Sequence, residues 1–529
     1  MDYLPIVLAL FAVFLAVYYY NKRAHSVFKD VLHVPPTPIV GNFGSLITKR
    51  ATLQEVLQKS YDLHPDAKYV GFYEFLSSNI LVRDPELFKS IAVKNFDNFS
   101  DHRKFTDKRT DPLFAGMLFQ LAGNEWKEQR NMLSPTFTSS KIKNMFKLMS
   151  DCAMRFSTKL SNLQEKEREV EVRNLFARYT NDVIAKCVYG VSVDTMEEPK
   201  NIFYVYGRAA TLLTGLLNTI KFMLYRNLPE LAVALRLNFV KKRHADFFSD
   251  VVRKTIESRE SSGVKGTDML QLMMDIRDRK DSSKRMSIKD IICHAFTFFF
   301  GGFDTVSSQS AFIAHMLAEN PEAQTRLQEE IDEALERTNG QLTYETINEM
   351  KYLDAVVNET LRLYPIVVFL DRVCTRAFEL PPALPGGKPF VVQPGTNIWL
   401  PVYSIHRDPK YYENPDKFDP ERFLVDGKKI LNSGVYMPFG SGPRMCIGNR
   451  FALTEMKVLI YHLLSKCDIK AGQKTTLPMQ LEKGVLNVTA KNNEFWLKME
   501  PRKNPHPSVL ANGVSNGVAN GIANGVCKQ

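Results

Sequence analysis

From Leu4 to Tyr20 the chain reads LPIVLALFAVFLAVYYY without a charge, and Asn21, Lys22 and Arg23 follow at once. The run approaches the roughly 17 to 25 residues of a spanning helix, and its three closing tyrosines suit a membrane interface. A cleaved leader would carry positive charge ahead of the apolar run. Here only Asp2 precedes it, so the pattern predicts a retained anchor over residues 1–23 with its basic flank in the cytosol. Residues 24–42 read as a basic hinge ending in the proline-rich VPPTPIVGN, where proline removes amide donors and fixes φ. From Phe43 to Arg502 apolar positions recur mostly at helical spacing with short β-like runs between, which predicts a mainly α body with a small β-rich part. Residues 503–529 lose that periodicity. Asn-Gly recurs every fourth residue from Ala511 to Val526, a composition expected to stay disordered.

The longest helical pattern starts at Ser287, an N-cap residue with Asp290 three positions on, and runs to Glu319, where Asn320-Pro321 stops it. Its centre, FFFGGFDTVSS, holds Gly301 and Gly302, each costing about 1 kcal/mol relative to alanine inside a helix. His294, Phe298, Gly301, Gly302 and Thr305 share a face, so the glycines open a groove flanked by an aromatic ring and a hydroxyl. Such a groove serves either close helix packing or a ligand site; Asp304 beside Thr305 adds polar groups that are costly to bury without a task. A second helix ends at Leu363 before Tyr364 and Pro365, with Glu359 and Arg362 three apart on one face. FDPERF, Phe418 to Phe423, offers Arg422 to the same carboxylate.

Charge and cysteine usage narrow the classes. The 529 residues carry 69 Lys and Arg against 58 Asp and Glu, net +11, which suits an acidic protein partner or an anionic membrane face as well as nucleic acid. Seven scattered cysteines with no CxxC pair argue against a disulfide framework and a zinc ribbon and fit reduced cytosolic thiols. With a cytosolic body, the sequons at Asn98, Asn358 and Asn487 go unused. Cys446 stands apart, in the glycine-rich loop FGSGPRMCIG from Phe439 to Gly448. It has no neighbouring histidine base and no second ligand at zinc spacing. A metal that needs one protein ligand remains, with a thiolate held by backbone N–H groups where the loop runs into a helix over Ile447 to Leu464. Haem iron is such a metal.

Taken in order, Trp126 and Arg130 in WKEQR, GGFDT at Gly301 to Thr305, Glu359 and Arg362, FDPERF, and Phe439, Gly442, Arg444, Cys446 and Gly448 in the cysteine loop resemble the cytochrome P450 haem-thiolate monooxygenases. The resemblance spans the chain from the proline hinge to Arg502, and the ten-residue cysteine signature is highly specific. It implies one large, mainly helical haem-binding domain over 43–502 with haem b between the long helix and the cysteine loop. Cys446 is then the iron ligand, Phe439 the ring beside its sulfur, and Trp126, Arg130, Arg372 and Arg444 the partners of the haem propionates, with Gly448 closing the loop. Glu359, Arg362 and Arg422 become a buried structural triad, and Asp304 and Thr305 the pair that delivers protons. Three positions depart from the family pattern: Gly301 stands where alanine is usual, Val306 where a hydroxyl often sits, and Asp371 where a proline commonly precedes the propionate arginine.

The resemblance also implies an NADPH- and O2-dependent monooxygenase on the cytosolic side of the endoplasmic reticulum membrane. NADPH-cytochrome P450 reductase supplies its electrons, with cytochrome b5 as a further donor, and no nucleic acid is bound. Lys127, Lys141, Lys143 and Lys147 would face the acidic reductase. KNFDNFSDHRKF and the cysteine block look similar to insect microsomal family-9 enzymes, implying oxidation of plant toxins and insecticides. Phe114, Met117, Leu118, Phe119, Phe298, Gly301, Gly302, Phe303, Val367, Val368 and Phe369 are the expected pocket residues. A hydroxylase of an endogenous steroid or fatty acid, or a haem-thiolate isomerase or dehydratase, are the alternatives.

Overall fold

The computed structural model describes residues 4–211, 213, 215–279 and 285–511. The Asn-Gly repeat beyond Ala511 lies outside the described residues, and the segment leading to it contains a short helix, Pro507–Ala511. The helices that place the site are α1 (Leu4–Val27), α2 (Gly123–Leu133), α3 (Ser139–Ser161), α4 (Val172–Ile184), α5 (Ile202–Thr211), α6 (Leu216–Asn227), α7 (Lys242–Ser262), α8 (Ile288–Glu319), α9 (Pro321–Arg337), α10 (Lys351–Leu363) and α11 (Asn449–Lys466).

The long helix α8 forms as its sequence dictates. Ser287 Oγ accepts from the Asp290 amide at 3.1 Å while an Asp290 carboxylate oxygen accepts from the Ser287 amide at 2.9 Å, a complete capping box. At the other end Asn320 caps the Met316 carbonyl and Pro321 opens α9. Between these ends α8 is buried on nearly every side, packed by α4, α5, α7, α10 and α11. A helix apolar all round is a core helix, and α8 is the axis of the molecule.

Among the described residues nine short strands form three sheets. β1 (Tyr69–Glu74), β2 (Ser77–Val82), β7 (Asn397–Leu400) and β4 (Leu370–Val373) pair in that order, with β2 and β7 parallel. β3 (Glu169–Glu171), β9 (Trp496–Pro501) and β8 (Cys467–Lys470) make a second sheet, and β5 (Phe378–Leu380) with β6 (Phe390–Val392) a third. The β4 to β7 register sets Arg372 opposite Ile398 at the inner edge of the first sheet, where it is 1% exposed.

The expected anchor is a 24-residue helix, about 36 Å at 1.5 Å per residue. Its Val7, Leu8, Phe11, Val13, Phe14, Tyr18 and Tyr19 side chains are all more than half exposed. Among the described residues no helix meets the length and apolarity of a membrane span. Six cysteines are free thiols, and the seventh, Cys527, lies outside the described residues. Asn358, one of the three sequons, is buried and hydrogen-bonded to Asp354, so it is closed to modification in the folded chain.

Candidate active site

The cysteine loop takes its shape from two left-handed glycines. Gly440 has φ +84° and Gly442 φ +72°, and at Gly442 a Cβ would run into the Ala92 carbonyl. The loop closes on itself through the Cys446 amide, which donates to the Phe439 carbonyl at 2.9 Å. Ile447 and Gly448 complete the turn and α11 starts at Asn449, two residues later than the sequence pattern places it. Cys446 is the exposed member of the six described cysteines, yet protein surrounds it deeply. Burial pushes its thiol up, while the Gly448 amide and the Arg130 guanidinium pull it back.

Three cations converge here, from α2, from β4 and from the loop itself. Arg130 of α2 donates to the Met445 carbonyl at 2.9 Å, and Arg372 of β4 donates to the Ser441 carbonyl at 3.0 Å. The Arg444 guanidinium lies 3.9 Å over the Trp126 ring and donates to the Ser100 and Leu121 carbonyls and to Asp101. Burial pulls Arg372 down to about 10 and Arg444 to about 9, so both are cations at neutral pH. Among the described residues Arg372 Nε and Arg444 Nη1 are buried without an acceptor. Two orphaned guanidinium nitrogens next to an accessible thiol fit a group that brings carboxylates and a metal taking one sulfur ligand, which is the donor set haem requires.

The sequence did not expose His102 and Arg103. His102 Nδ1 lies 2.7 Å from an Asp371 oxygen and the Arg103 amide donates to the other at 3.0 Å. Although burial opposes ionisation, His102 and nearby arginines hold the Asp371 carboxyl well below the usual range. Asp371 therefore replaces the usual proline with a buried anion behind Arg372. The only signal was its departure from the pattern. Arg103 also reaches Glu74, which forms a buried ion pair with Arg226 of α6.

The two glycines of α8 divide the tasks that the sequence left open. A Cβ on Gly302 would sit 3.0 Å from Ile184 of α4, so this glycine is a packing position, not an opening. A Cβ on Gly301 would meet nothing within 4 Å, and Gly301 is exposed inside an otherwise buried helix. The Thr305 hydroxyl donates back to the Gly301 carbonyl, on the same open face. Asp304 points elsewhere: its carboxylate pairs with Arg173 of α4, whose Nε also bonds Ser308. Thr305 and Asp304 are neighbours in sequence on different sides of the helix.

The expected pocket residues scatter more than their apolar character suggested. Phe119 and Phe300 stack at 5.9 Å, and Phe114 meets both edge-on with Phe105 and Phe239 completing an aromatic cluster. Met117 and Leu118 are buried beside them, and the Leu118 amide donates to Thr297 of α8. Phe298 packs edge-on against Phe137 at 4.9 Å, and Phe137 Cε1 lies 3.7 Å from where a Cβ on Gly448 would stand, so one ring stands between α8 and the cysteine loop. Phe303 faces away from Gly301 and stacks on Phe299 next to Tyr204. Val367 is 46% exposed and Val368 fully buried, while Phe369 lies flat on Trp399 at 3.7 Å.

Glu359, Arg362 and Arg422 come together as their spacing implied. Arg362 grips both Glu359 oxygens at 2.7 and 2.8 Å, and Arg422 Nε reaches the carboxylate at 3.3 Å. The rest of Arg362 is satisfied by the His406, Pro415 and Lys417 carbonyls. Of the four lysines expected to form a cationic face, Lys127 pairs with Asp97 and Lys143 with Glu345.

Comparison with known proteins agrees with this geometry. The family model described as Cytochrome P450 matches residues 32–497. The chain is 40% identical over 504 residues to cytochrome P450 9e2 of Blattella germanica, covering 90% of this chain and 93% of that protein. It is 35% identical to the probable cytochrome P450 9f2 of Drosophila melanogaster, with 93% and 99% covered. Against cytochrome P450 6j1 of Blattella germanica it is 33% identical, with 92% and 96% covered.

Proposed function

The chain belongs to the cytochrome P450 family, and from that premise we propose that it is a membrane-attached haem-thiolate monooxygenase of lipophilic compounds. The observation that carries the reading is the accessible Cys446 thiol in a loop that also holds Arg444 and is gripped by Arg372, each arginine keeping a buried nitrogen without an acceptor among the described residues. When bound, haem supplies activation of O2 for insertion of one oxygen atom into substrate.

The chain's own residues do the rest. Cys446 is the thiolate ligand, stabilised by the Gly448 amide and Arg130. Arg372 and Arg444 hold the propionates, with Trp126 as the surface on which Arg444 is fixed. Thr305 offers its hydroxyl on the open face of α8, and Asp304 serves as a proton carrier held ready by Arg173. Glu359, Arg362 and Arg422 keep the segment before the cysteine loop in place. The aromatic cluster of Phe105, Phe114, Phe119, Phe239 and Phe300 favours bulky apolar and aromatic substrates, in keeping with oxidation of plant toxins and insecticides.

Electrons come from NADPH through the reductase, drawn by the unpaired cations of the basic face, and α1 attaches the enzyme to the endoplasmic reticulum membrane. The test is the spectrum of the reduced, carbon-monoxide-bound protein. The wild type is expected to show the red-shifted Soret band of thiolate ligation and Cys446→Ser to lose it; a histidine-type band in the wild type would refute the reading. Incorporation of gas-phase oxygen-18 into product then separates a monooxygenase from an isomerase or dehydratase.

A further inference from the structure

Beyond the C-terminal half of α8 lies a cleft of about 350 Å3, bordered by His315, Met479, Phe495, Trp496, Lys474 and Lys491. His315 follows Thr305 by ten residues, about 15 Å along the helix axis, so this cleft is separate from the cysteine loop. Its volume falls in the range of small-molecule sites, and Phe495, Trp496 and Met479 give it apolar walls.

The cations of the cleft have no acid partner among the described residues, and its imidazole has an unfilled nitrogen. Lys474 Nζ rests 4.0 Å above the Trp496 ring, and Lys491 Nζ donates to Gln480 at 3.2 Å. Among the described residues neither lysine is paired with a carboxylate. Glu494 is the one acid of the cleft, and its oxygen is engaged by the Trp496 indole N–H at 3.0 Å. His315 is 3% exposed and its Nε2 has no hydrogen-bond partner. The nearest carboxylate oxygen, on Glu319, stands 3.8 Å away, too far for a hydrogen bond. Burial pulls His315 down to about 4, so at neutral pH it is an uncharged imidazole. A buried imidazole nitrogen without a partner is costly unless something supplies one.

We propose that this cleft is a second binding site, peripheral to the haem, for a small aromatic carboxylate. The ring lies against Phe495 and Trp496, and the carboxylate takes the Lys474 and Lys491 ammonium groups, with His315 at the floor. Two lysines without acid partners select an anion over a cation, and the aromatic walls select an aryl acid over a simple inorganic anion.

The experiment uses the full-length holoenzyme with 1-naphthoate as probe, followed by equilibrium dialysis and quenching of tryptophan fluorescence. An azole bound to the haem iron blocks the substrate pocket throughout. Saturable binding of one naphthoate is expected under that block, at least tenfold weaker in the Lys474→Glu, Lys491→Glu double variant and at least tenfold weaker for neutral 2-methylnaphthalene. His315→Phe, which keeps bulk and removes the nitrogen, is expected to weaken the carboxylate more than the neutral analogue. Both lysines are exposed, so the double variant should keep the wild-type carbon monoxide spectrum. Loss of naphthoate binding on adding the azole, binding that does not saturate, or unchanged affinity in the double variant would overturn the proposal.

Discussion

At the scale of residues, adjacent positions with the same chemistry serve different ends because a helix turns about 100° per residue. Gly302 has Ile184 at 3.0 Å from where a Cβ would stand, and Gly301 has nothing within 4 Å. Gly302→Val is therefore expected to cost about 1–3 kcal/mol through overpacking, while Gly301→Ala, with room for the methyl group, is expected to gain up to about 1 kcal/mol, as read from urea unfolding midpoints. Equal losses would place both glycines in packing contacts. The same turn separates Thr305 from Asp304. Thr305→Ala is expected to keep the thiolate spectrum and to raise NADPH and oxygen consumption per product, since it removes the hydroxyl on the open face and leaves the Arg173 pair intact. Full coupling in that variant would remove Thr305 from proton delivery.

Among elements, the junction of α10 with the FDPERF segment depends most on charge. Glu359 and Arg362 are completely buried, and every oxygen of the carboxylate is occupied. Glu359→Gln leaves Arg362 and Arg422 facing a neutral group in a dry interior. A loss of about 3–5 kcal/mol is expected, seen as a lowered urea midpoint and less haem retained through purification. This pairing was legible in sequence because residues three apart on a helix must be neighbours. The His102–Asp371–Arg372 arrangement was not, because the loop carrying His102 meets β4 only in the folded chain, through the bridge of Asp101 with Val373. Helix α8 was legible from cap to stop, since its capping box and terminating proline are local signals.

For the whole molecule, attachment and acid stability are the measurable properties. Removing residues 1–23 is expected to move the protein from the carbonate-washed membrane pellet to the supernatant, because the exposed apolar side chains of α1 go with them. A truncated protein that stays in the pellet would assign attachment to another surface. Buried histidines set the acid limit. Burial pulls His294 and His315 to about 4 and His406 and His462 to about 3, below their ordinary 6.5. The unfolded chain therefore takes up protons first as pH falls, so stability is full above about 6.5 and is lost progressively toward 4. Urea midpoints should hold between pH 7.5 and about 6.5 and fall from there to pH 5; a flat profile over the whole range would contradict neutral burial of these rings.

What the sequence by itself determined is the set of features carried by local signals: the apolar run of α1, the ends of α8, the Glu359–Arg362 spacing and the cysteine loop with its family membership. Tertiary structure alone decided which face each residue uses. It turned Phe303 away from Gly301, tied Asp304 to Arg173, paired two of the expected surface lysines with acids and placed Asp371 behind Arg372. The physical reason is that periodicity fixes a side chain's direction on its own helix, whereas which neighbours that direction meets depends on how the elements pack. Only packing brings the two together.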